Sequence, residues 1–400
     1  MSNQPNLDSE IAIVGAGIGG LALALALAQA GARQVSLFER RPDFQEIGAG
    51  LQIGPNATRM LAQLGLAEQL HAVSARSPDG QMYAGATGNK LATLPMDRHA
   101  VTAYGVHSYQ LLRADLHRIL LEALTTELGQ SPVRFGKELV EIYEEERPRL
   151  TFSDGTEVQA DLVIGADGVE SKVRSLIFKD ANASYSGYFA WRGLINAETV
   201  SSAPELSDRL SVWIGEGRHL IAYPLCQGKL INLVGVSESP EWQAPNSAED
   251  RPVSDWLDDY RGWNRRVLSL IGCLASCQKW SLRTIPELHS WHSGSVSLLG
   301  DAAHPMLPSL AQGAAQAVED ALCLAELIGQ GERSTEALFA NYFDSRVEPV
   351  RKIQQMSLWN LRFFHRSNDL FTGLRNLGMR VGGPLTSKII AEKYRWLYQS

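Results

Sequence analysis

The strongest constraint on this chain stands at its start. A short apolar run of strand type, Glu10-Ile11-Ala12-Ile13-Val14, leads directly into Gly15-Ala16-Gly17-Ile18-Gly19-Gly20. Leu21 to Ala30 is Ala/Leu-rich and reads as a helix that Gly31 stops, and Val35 to Glu39 reads as a second strand, ending in an acid 19 residues beyond Gly20. In that order each glycine has a task. Gly15 allows a tight turn, Gly17 lets backbone approach a pyrophosphate, and Gly20 lets helix and strand pack closely. The phosphates would sit on the helix N-terminus, where free N–H groups and the dipole favour negative charge. Glu39 would accept hydrogen bonds from a ribose. The alternative, a glycine-rich loop with no nucleotide, has to explain the whole strand–turn–helix–strand–acid order.

Two later segments complement the first. Leu162-Val163-Ile164 is a buried strand that delivers Gly165-Ala166-Asp167-Gly168. Ser295 to Leu299 is another, delivering Gly300-Asp301-Ala302-Ala303-His304-Pro305, followed by Pro308, Gln312-Gly313 and a helical run through Glu319-Asp320-Ala321. The three motifs together describe one dinucleotide held end to end.

Between them the chain changes character. Asn56 reads as the N-cap of a helix to Leu64, Arg113 to Leu124 as a helix, Val133 to Tyr143 and Leu150 to Phe152 as strands, and Ser153-Asp154-Gly155 as a turn. Residues 185–282 alternate short strands (Ser211–Ile214, His219–Pro224, Leu230–Val236) with a helical stretch near 253–271. The expected architecture is α/β: a Rossmann-like nucleotide domain from 1–75, 100–180 and 283–345, a discontinuous α+β substrate domain from 76–99 and 181–282 on a mainly antiparallel sheet, and C-terminal helices over 346–400.

Bulk properties narrow the classes further. At 400 residues, 44% hydrophobic and 20% charged, the chain can build more than one core. No run approaches ~18 uninterrupted apolar residues, so no transmembrane helix is expected, and Met1 to Ser9 lacks the pattern of a secretory signal. Four cysteines make no disulfide framework; Cys273 and Cys277 are expected to share a helix face at i, i+4, with no partner pair to complete a metal site. Reduced thiols and a cytoplasmic location follow. A net charge of −7 gives no reason for nucleic-acid binding, but it is uneven: residues 346–400 carry +7, leaving −14 for the remainder. A solvated helical surface, a membrane-surface contact or a dimer contact each accommodates that tail.

The three motifs and their order resemble the single-component FAD-dependent aromatic hydroxylases of the p-hydroxybenzoate hydroxylase type. Within them the chain looks most like the branch acting on salicylate, 3-hydroxybenzoate and 6-hydroxynicotinate. The branch-level matches are Gly48-Ala49-Gly50, Gly54-Pro55-Asn56, Ala311-Gln312-Gly313-Ala314 and Trp396-Leu397-Tyr398. The resemblance implies non-covalent FAD held by Gly15, Gly17, Gly20, Glu39, Arg40, Gly50, Arg113, Leu139, Asp167, Asp301, Gly313 and Ala314. Asp301 accepts from a ribitol hydroxyl, Arg113 reaches phosphate and ribose, and Asp167 with Gly168 and Arg174 serves both FAD and NAD(P)H. The helix starting near Gln312 points its N-terminus at the flavin pyrimidine, where negative charge develops on reduction.

In the insert, Arg218-His219-Leu220-Ile221-Ala222-Tyr223 matches a strand that lines the substrate pocket. His219 and Tyr223, four apart on a strand, share one face and are the expected catalytic pair, hydrogen-bonding or deprotonating a ring hydroxyl before it attacks a flavin C4a-hydroperoxide. A core histidine satisfied by backbone is the competing account of His219. Gln52, Arg192 and Pro308 join the expected substrate pocket; His304 is expected beside backbone, not in catalysis. Ser309 and Gln52 depart from histidines of hydroxynicotinate-type relatives. NADH or NADPH, O2 and a small phenolic or hydroxypyridine acid are the implied partners of a monomer or homodimer, with no metal. Tryptophan-type halogenases and Baeyer–Villiger enzymes need signatures that are absent here. A flavin reductase or oxidase, a non-enzymatic FAD carrier and a ubiquinone-type ring hydroxylase remain as alternatives.

Overall fold

The computed structural model describes residues 5–44, 49–200, 204–242, 248–366 and 369–399; Gly48 of the expected branch motif lies outside them. Ile11–Val14 is central in a six-stranded sheet, between Leu162–Gly165 and Val35–Phe38, and Val296–Leu298 pairs with the far side of Leu162–Gly165. All of these pairs are parallel, and their residues are apolar on both faces because helices cover both. The Ile18–Ala30 helix, almost entirely Ala and Leu and buried nearly throughout, packs against the Gly313–Gln330 helix. The three glycine-containing motifs therefore emerge from the C-terminal ends of three adjacent parallel strands, the edge at which open α/β sheets bind ligands.

The chain between residues 166 and 295 mostly builds a second sheet of eight strands. Its order is Ala248–Arg251, Cys277–Thr284, Ser184–Asn196, Leu230–Glu238, Arg218–Leu225, Leu210–Gly215, Asp79–Ala84 and Lys90–Pro95. Every pairing is antiparallel except Asp79–Ala84 against Leu210–Gly215. Trp191, Trp213, Trp256 and Tyr260 fill the space between this sheet and two short helices, Val253–Asp259 and Arg265–Gly272. The long Thr335–His365 helix and the Asp369–Gln399 helix close the molecule, with Ser387 reaching Thr93 of the edge strand. The expected boundary between 345 and 346 falls inside the first of them. Part of the basic tail is engaged internally: Lys352 sits over Trp396, and Lys393 over Trp359.

Four local expectations change. Asn56 is not an N-cap: Gly54 caps Pro55–Gln63, with Pro55 at the first turn, and the Asn56 side chain is buried, donating to Gln312 and Glu319. Proline at the first helical position explains the shift, because its missing N–H needs no partner there. Val133–Tyr143 divides into Val133–Arg134 and Leu139–Tyr143, with Gly136 at φ 66° in the break. The 253–271 stretch is two helices, separated where Asn264 caps the second. Cys273 and Cys277 do not share a helix face; Cys273 ends that helix and Cys277 begins a strand.

One buried network ties these parts together. Arg346 donates from Nε to Asp320 (2.7 Å), from Nη1 to Glu319 (2.9 Å) and from Nη2 to Gln316 (2.7 Å). Asp320 also accepts from the Gly300 amide (3.0 Å) and His304 Nε2 (2.6 Å). Burial alone would raise the Asp320 carboxyl, but His304 and Arg346 hold it down at about 2. Its contribution to stability is therefore complete above the unfolded carboxylate value of ~4 and is lost as the pH falls through about 2. Asp320→Asn leaves Arg346 buried without its closest counter-charge and is expected to destabilise the fold by ~3–5 kcal/mol at neutral pH. Denaturant melts of the two proteins check this, and a loss under ~1 kcal/mol would mean the network tolerates a neutral partner.

Candidate active site

Two cavities meet at the strand ends. The outer one, about 570 Å³, is lined by Gly15, Gly17, Glu39, Arg40, Arg113, Leu139 and Asp167 among others. The inner one, about 300 Å³, is lined by Gly17, Gly50, Gln52, Arg113, Arg192, His219, Tyr223, Asp301, Pro308, Gly313 and Ala314. Gly17, Arg113, Ala166 and Gly168 border both, so the two form one trough. Arg174, expected in the motif shared between FAD and NAD(P)H, lines neither cavity, and nor does Gly20. Its place is structural: a Cβ there would lie 2.1 Å from the Gly15 carbonyl oxygen, and Gly15 itself turns at φ 103°.

The trough is flanked by two helix N-termini. The Ile18–Ala30 helix begins at Gly17 and the Gly313–Gln330 helix at Gln312; neither has a side-chain cap or an acid in its first turn. Their amides and dipoles are left to whatever occupies the trough. The Ala16 amide donates to Glu39 (3.1 Å), while His117 Nε2 holds the Ala16 carbonyl at 2.6 Å from below. His117 escaped sequence reasoning because a mid-helix histidine carries no local signal. Ala311, just before the inner helix, sits at φ 53°, a left-handed conformation unusual for alanine that re-aims the chain at the cavity rim.

Asp301 opens only onto the inner cavity; the protein enclosing it pushes its carboxyl up. A Cβ on Gly313 would lie 3.8 Å from its Oδ1, which places the carboxylate beside the inner helix N-terminus. Asp167 is different. Its carboxylate accepts from Lys172 N (2.7 Å), Val173 N (3.1 Å) and the Ser171 hydroxyl, so it caps the Lys172–Ile177 helix. The capped-turn account thus describes its side chain, while its Gly168 neighbour borders the trough. Arg174 is buried and donates to the carbonyls of Val169, Ala181 and Ala302, tying the Asp167 turn to the Asp301 turn from behind.

The inner wall is one face of three strands. Register places His219, Val236 and Ala190 in one row, Ile221, Val234 and Arg192 in the next, and Tyr223, Asn232 and Leu194 in the third. His219 and Tyr223 are separated by ~13 Å of strand, so their rings flank an aromatic-sized ligand from opposite ends, over an apolar floor of Val234, Val236 and Ile221. Arg192 lies over the Trp280 ring at 4.9 Å and has no carboxylate partner among the described residues. Tyr223 is buried, which pushes its hydroxyl well above the ordinary value, so it acts as a neutral hydrogen-bonding group. Asn232 beside it lines the same cavity next to the Tyr223 hydroxyl, and sequence reasoning missed it. Gly50 faces this pair: a Cβ there would lie 2.7 Å from the Tyr223 hydroxyl. Burial, and then His365, pull the His219 pKa well below its ordinary value. His219 is 1% exposed and its Nδ1 meets the side chain of His365, where the competing core account expected backbone.

Residues 8–357 match the family described as FAD binding domain. The 3-amino-4-hydroxybenzoate 2-monooxygenase PtmB3 of Streptomyces platensis is 34% identical over 402 residues, covering 100% of this chain and 98% of its own. The 6-hydroxynicotinate 3-monooxygenase of Pseudomonas fluorescens is 34% identical over 89% of this chain and 91% of its own. This chain belongs to the FAD-binding monooxygenase family. In fold it resembles HpxO of Klebsiella pneumoniae, solved with FAD and uric acid, at a TM-score of 0.81 and 24% identity over 96% of this chain and 95% of that one.

The residues present fit the family's cofactor. The outer cavity supplies the open Gly17 loop, an uncapped helix N-terminus and the Glu39 carboxylate; the inner one supplies Asp301 and a second uncapped N-terminus. Asp301→Ala removes an acceptor from the inner end and is expected to weaken FAD retention ~10–100-fold, the loss of a hydrogen bond to a charged group. Equilibrium dialysis of FAD decides it, and unchanged affinity would remove Asp301 from the contact set.

Proposed function

We propose that this FAD-dependent monooxygenase uses NAD(P)H and O2 to hydroxylate a small aromatic acid bearing a phenolic or hydroxypyridine oxygen, with or without loss of CO2. The reading rests above all on Arg192, a cation with no carboxylate partner among the described residues, on the wall of the inner cavity between His219 and Tyr223. A carboxylate on the substrate supplies the missing charge, and the geometry of a guanidinium suits it. Relatives named for aminohydroxybenzoate, hydroxynicotinate, hydroxybenzoate and salicylate support that class.

Bound FAD supplies the reducing equivalents from NAD(P)H and the activation of O2. The chain supplies binding, orientation and proton handling. Arg192 fixes the carboxylate; Val234, Val236 and Ile221 hold the ring; neutral His219 accepts the hydroxyl proton, which enriches the ring for electrophilic attack. Tyr223 and Asn232 orient the opposite edge. Glu39, Arg40, Arg113, Leu139 and the glycines hold the cofactor, and the FAD part comprises 1–75, 100–180 and the chain from 283 into the Thr335–His365 helix. All four cysteines are unpaired, in keeping with a cytoplasmic protein, and we take it as a monomer or homodimer.

Turnover of 3-amino-4-hydroxybenzoate, 3-hydroxybenzoate, salicylate and 6-hydroxynicotinate, scored by NADH and NADPH oxidation and product mass under labelled O2, tests the reaction. The product is expected to gain one oxygen from O2; label from water would exclude the mechanism. Arg192→Met should lower kcat/KM for the preferred acid by ~10–100-fold and leave the corresponding phenol without a carboxyl unaffected. Equal losses for both would take the carboxylate away from Arg192. His219→Ala is expected to slow hydroxylation ~10²–10⁴-fold with FAD still bound, and Tyr223→Phe less; a destabilised but fully active His219→Ala would leave the base unassigned.

A further inference from the structure

His219 has a second layer behind it. Its Nδ1 lies 2.7 Å from Nε2 of His365, and Nδ1 of His365 lies 3.1 Å from Oε1 of Glu238. His365 is the last residue of the Thr335–His365 helix and its side chain is almost wholly buried; Glu238 ends the Leu230–Glu238 strand with 47% of its side chain exposed. Three side chains from three elements thus form a line from the inner cavity to solvent. The backbone fastens the same corner: Gly217 N–H donates to the His365 carbonyl, and Glu238 N–H to the Gly217 carbonyl.

The outer end sets the direction of the whole line. A carboxylate accepts only, so Nδ1 of His365 carries a proton, and in the neutral ring its Nε2 presents a lone pair. That lone pair is met by the Nδ1–H of His219. The remaining nitrogen of His219, Nε2, is then unprotonated and, among the described residues, has no protein partner, while the ring lines the cavity. Apolar and weakly polar neighbours complete the surroundings: Phe364 against His219, and Tyr188 against His365. Among the described residues, the charged or titratable groups around His365 include Glu238 and Tyr188 from the sheet, His219, Arg362 one turn back on its own helix and Arg366, which caps that helix.

We propose that His365 and Glu238 are the proton outlet of His219, carrying the substrate hydroxyl proton from the closed cavity to water. The inference rests on the aromatic hydroxylation proposed above. The O–H bond of the substrate breaks as Nε2 of His219 takes the proton. The Nδ1 proton of His219 passes to Nε2 of His365, whose own Nδ1 proton passes to the Glu238 carboxylate and then to solvent. Both rings return by tautomer exchange, no electrons move, and the net change is phenol to phenolate plus one proton in water. The helix C-terminus at His365 favours the positive charge in transit. His365 lines neither cavity; it is a positioning residue acting through His219.

The test uses FAD-loaded enzyme and whichever of the four aromatic acids stimulates NADH or NADPH oxidation. His365→Gln keeps a polar side chain that cannot relay, and Glu238→Gln alters only the half-exposed end. His365→Gln is expected to lower kcat by at least ~10-fold, short of the ~10²–10⁴-fold loss of the general base itself, with KM little changed and a larger solvent deuterium isotope effect. Glu238→Gln should fall less, since water reaches His365 more easily there. Added imidazole should restore His365→Ala. Normal rates and normal isotope effects in both glutamine variants would overturn the outlet, whatever their melting temperatures, and these two decide even if His365→Ala does not fold. If none of the acids stimulates the unmodified enzyme, the hydroxylation reading fails, and the outlet with it.

Discussion

Arg346 holds the site together from a distance. Its guanidinium binds Asp320, Glu319 and Gln316 on the inner helix, and Asp320 in turn binds the Gly300 amide and His304. Asn56 joins from a third element through Glu319 and Gln312. A buried charge cluster of this kind gains little net stability over an apolar core, yet losing one member leaves the rest uncompensated. Its consequence here is positional. The turn that presents Asp301 and the helix N-terminus that faces it cannot move independently, because both hang on one carboxylate.

That network was only half legible. Gly300-Asp301 and the helix after Gln312 stand out in the sequence because strand, turn and helix signals are contiguous. Arg346 stands apart, in a segment read as basic tail, and nothing local distinguishes a buried arginine from a solvated one. Asn56 shows the same limit in reverse: its position before a helical run imitates a cap, while its partners lie more than 250 residues away. Local chemistry proposed the nearest use for the side chain, and tertiary contact took it for another.

The parallel sheet was read almost completely, since continuous apolar strands and glycine turns are short-range signals. The substrate wall was read by row and not by column. His219 and Tyr223 could be paired from strand period, but Asn232, Val234 and Arg192 share their face through register across strands, which period alone does not specify. His365 was out of reach for the same reason, at 146 residues from the ring it meets.

The trough sorts its charges. Where FAD belongs, two uncapped helix N-termini are joined by Arg40, Arg41, Lys137 and Lys172 on the outer cavity, with Arg113 bordering both cavities. Fixed dipoles are preorganised, and they need no side-chain ordering when negative charge appears on the cofactor. On the wall of the inner cavity, proposed for the substrate, stand a cation, Arg192, and a histidine kept neutral by burial and by His365. A second cation at His219 would compete for the substrate carboxylate and hold the ring in the wrong pose. On the proposed reading, keeping His219 uncharged until it takes a proton, and giving that proton a way out through His365, would let one arginine determine orientation. It would also confine positive charge beside the ring hydroxyl to the moment of proton transfer.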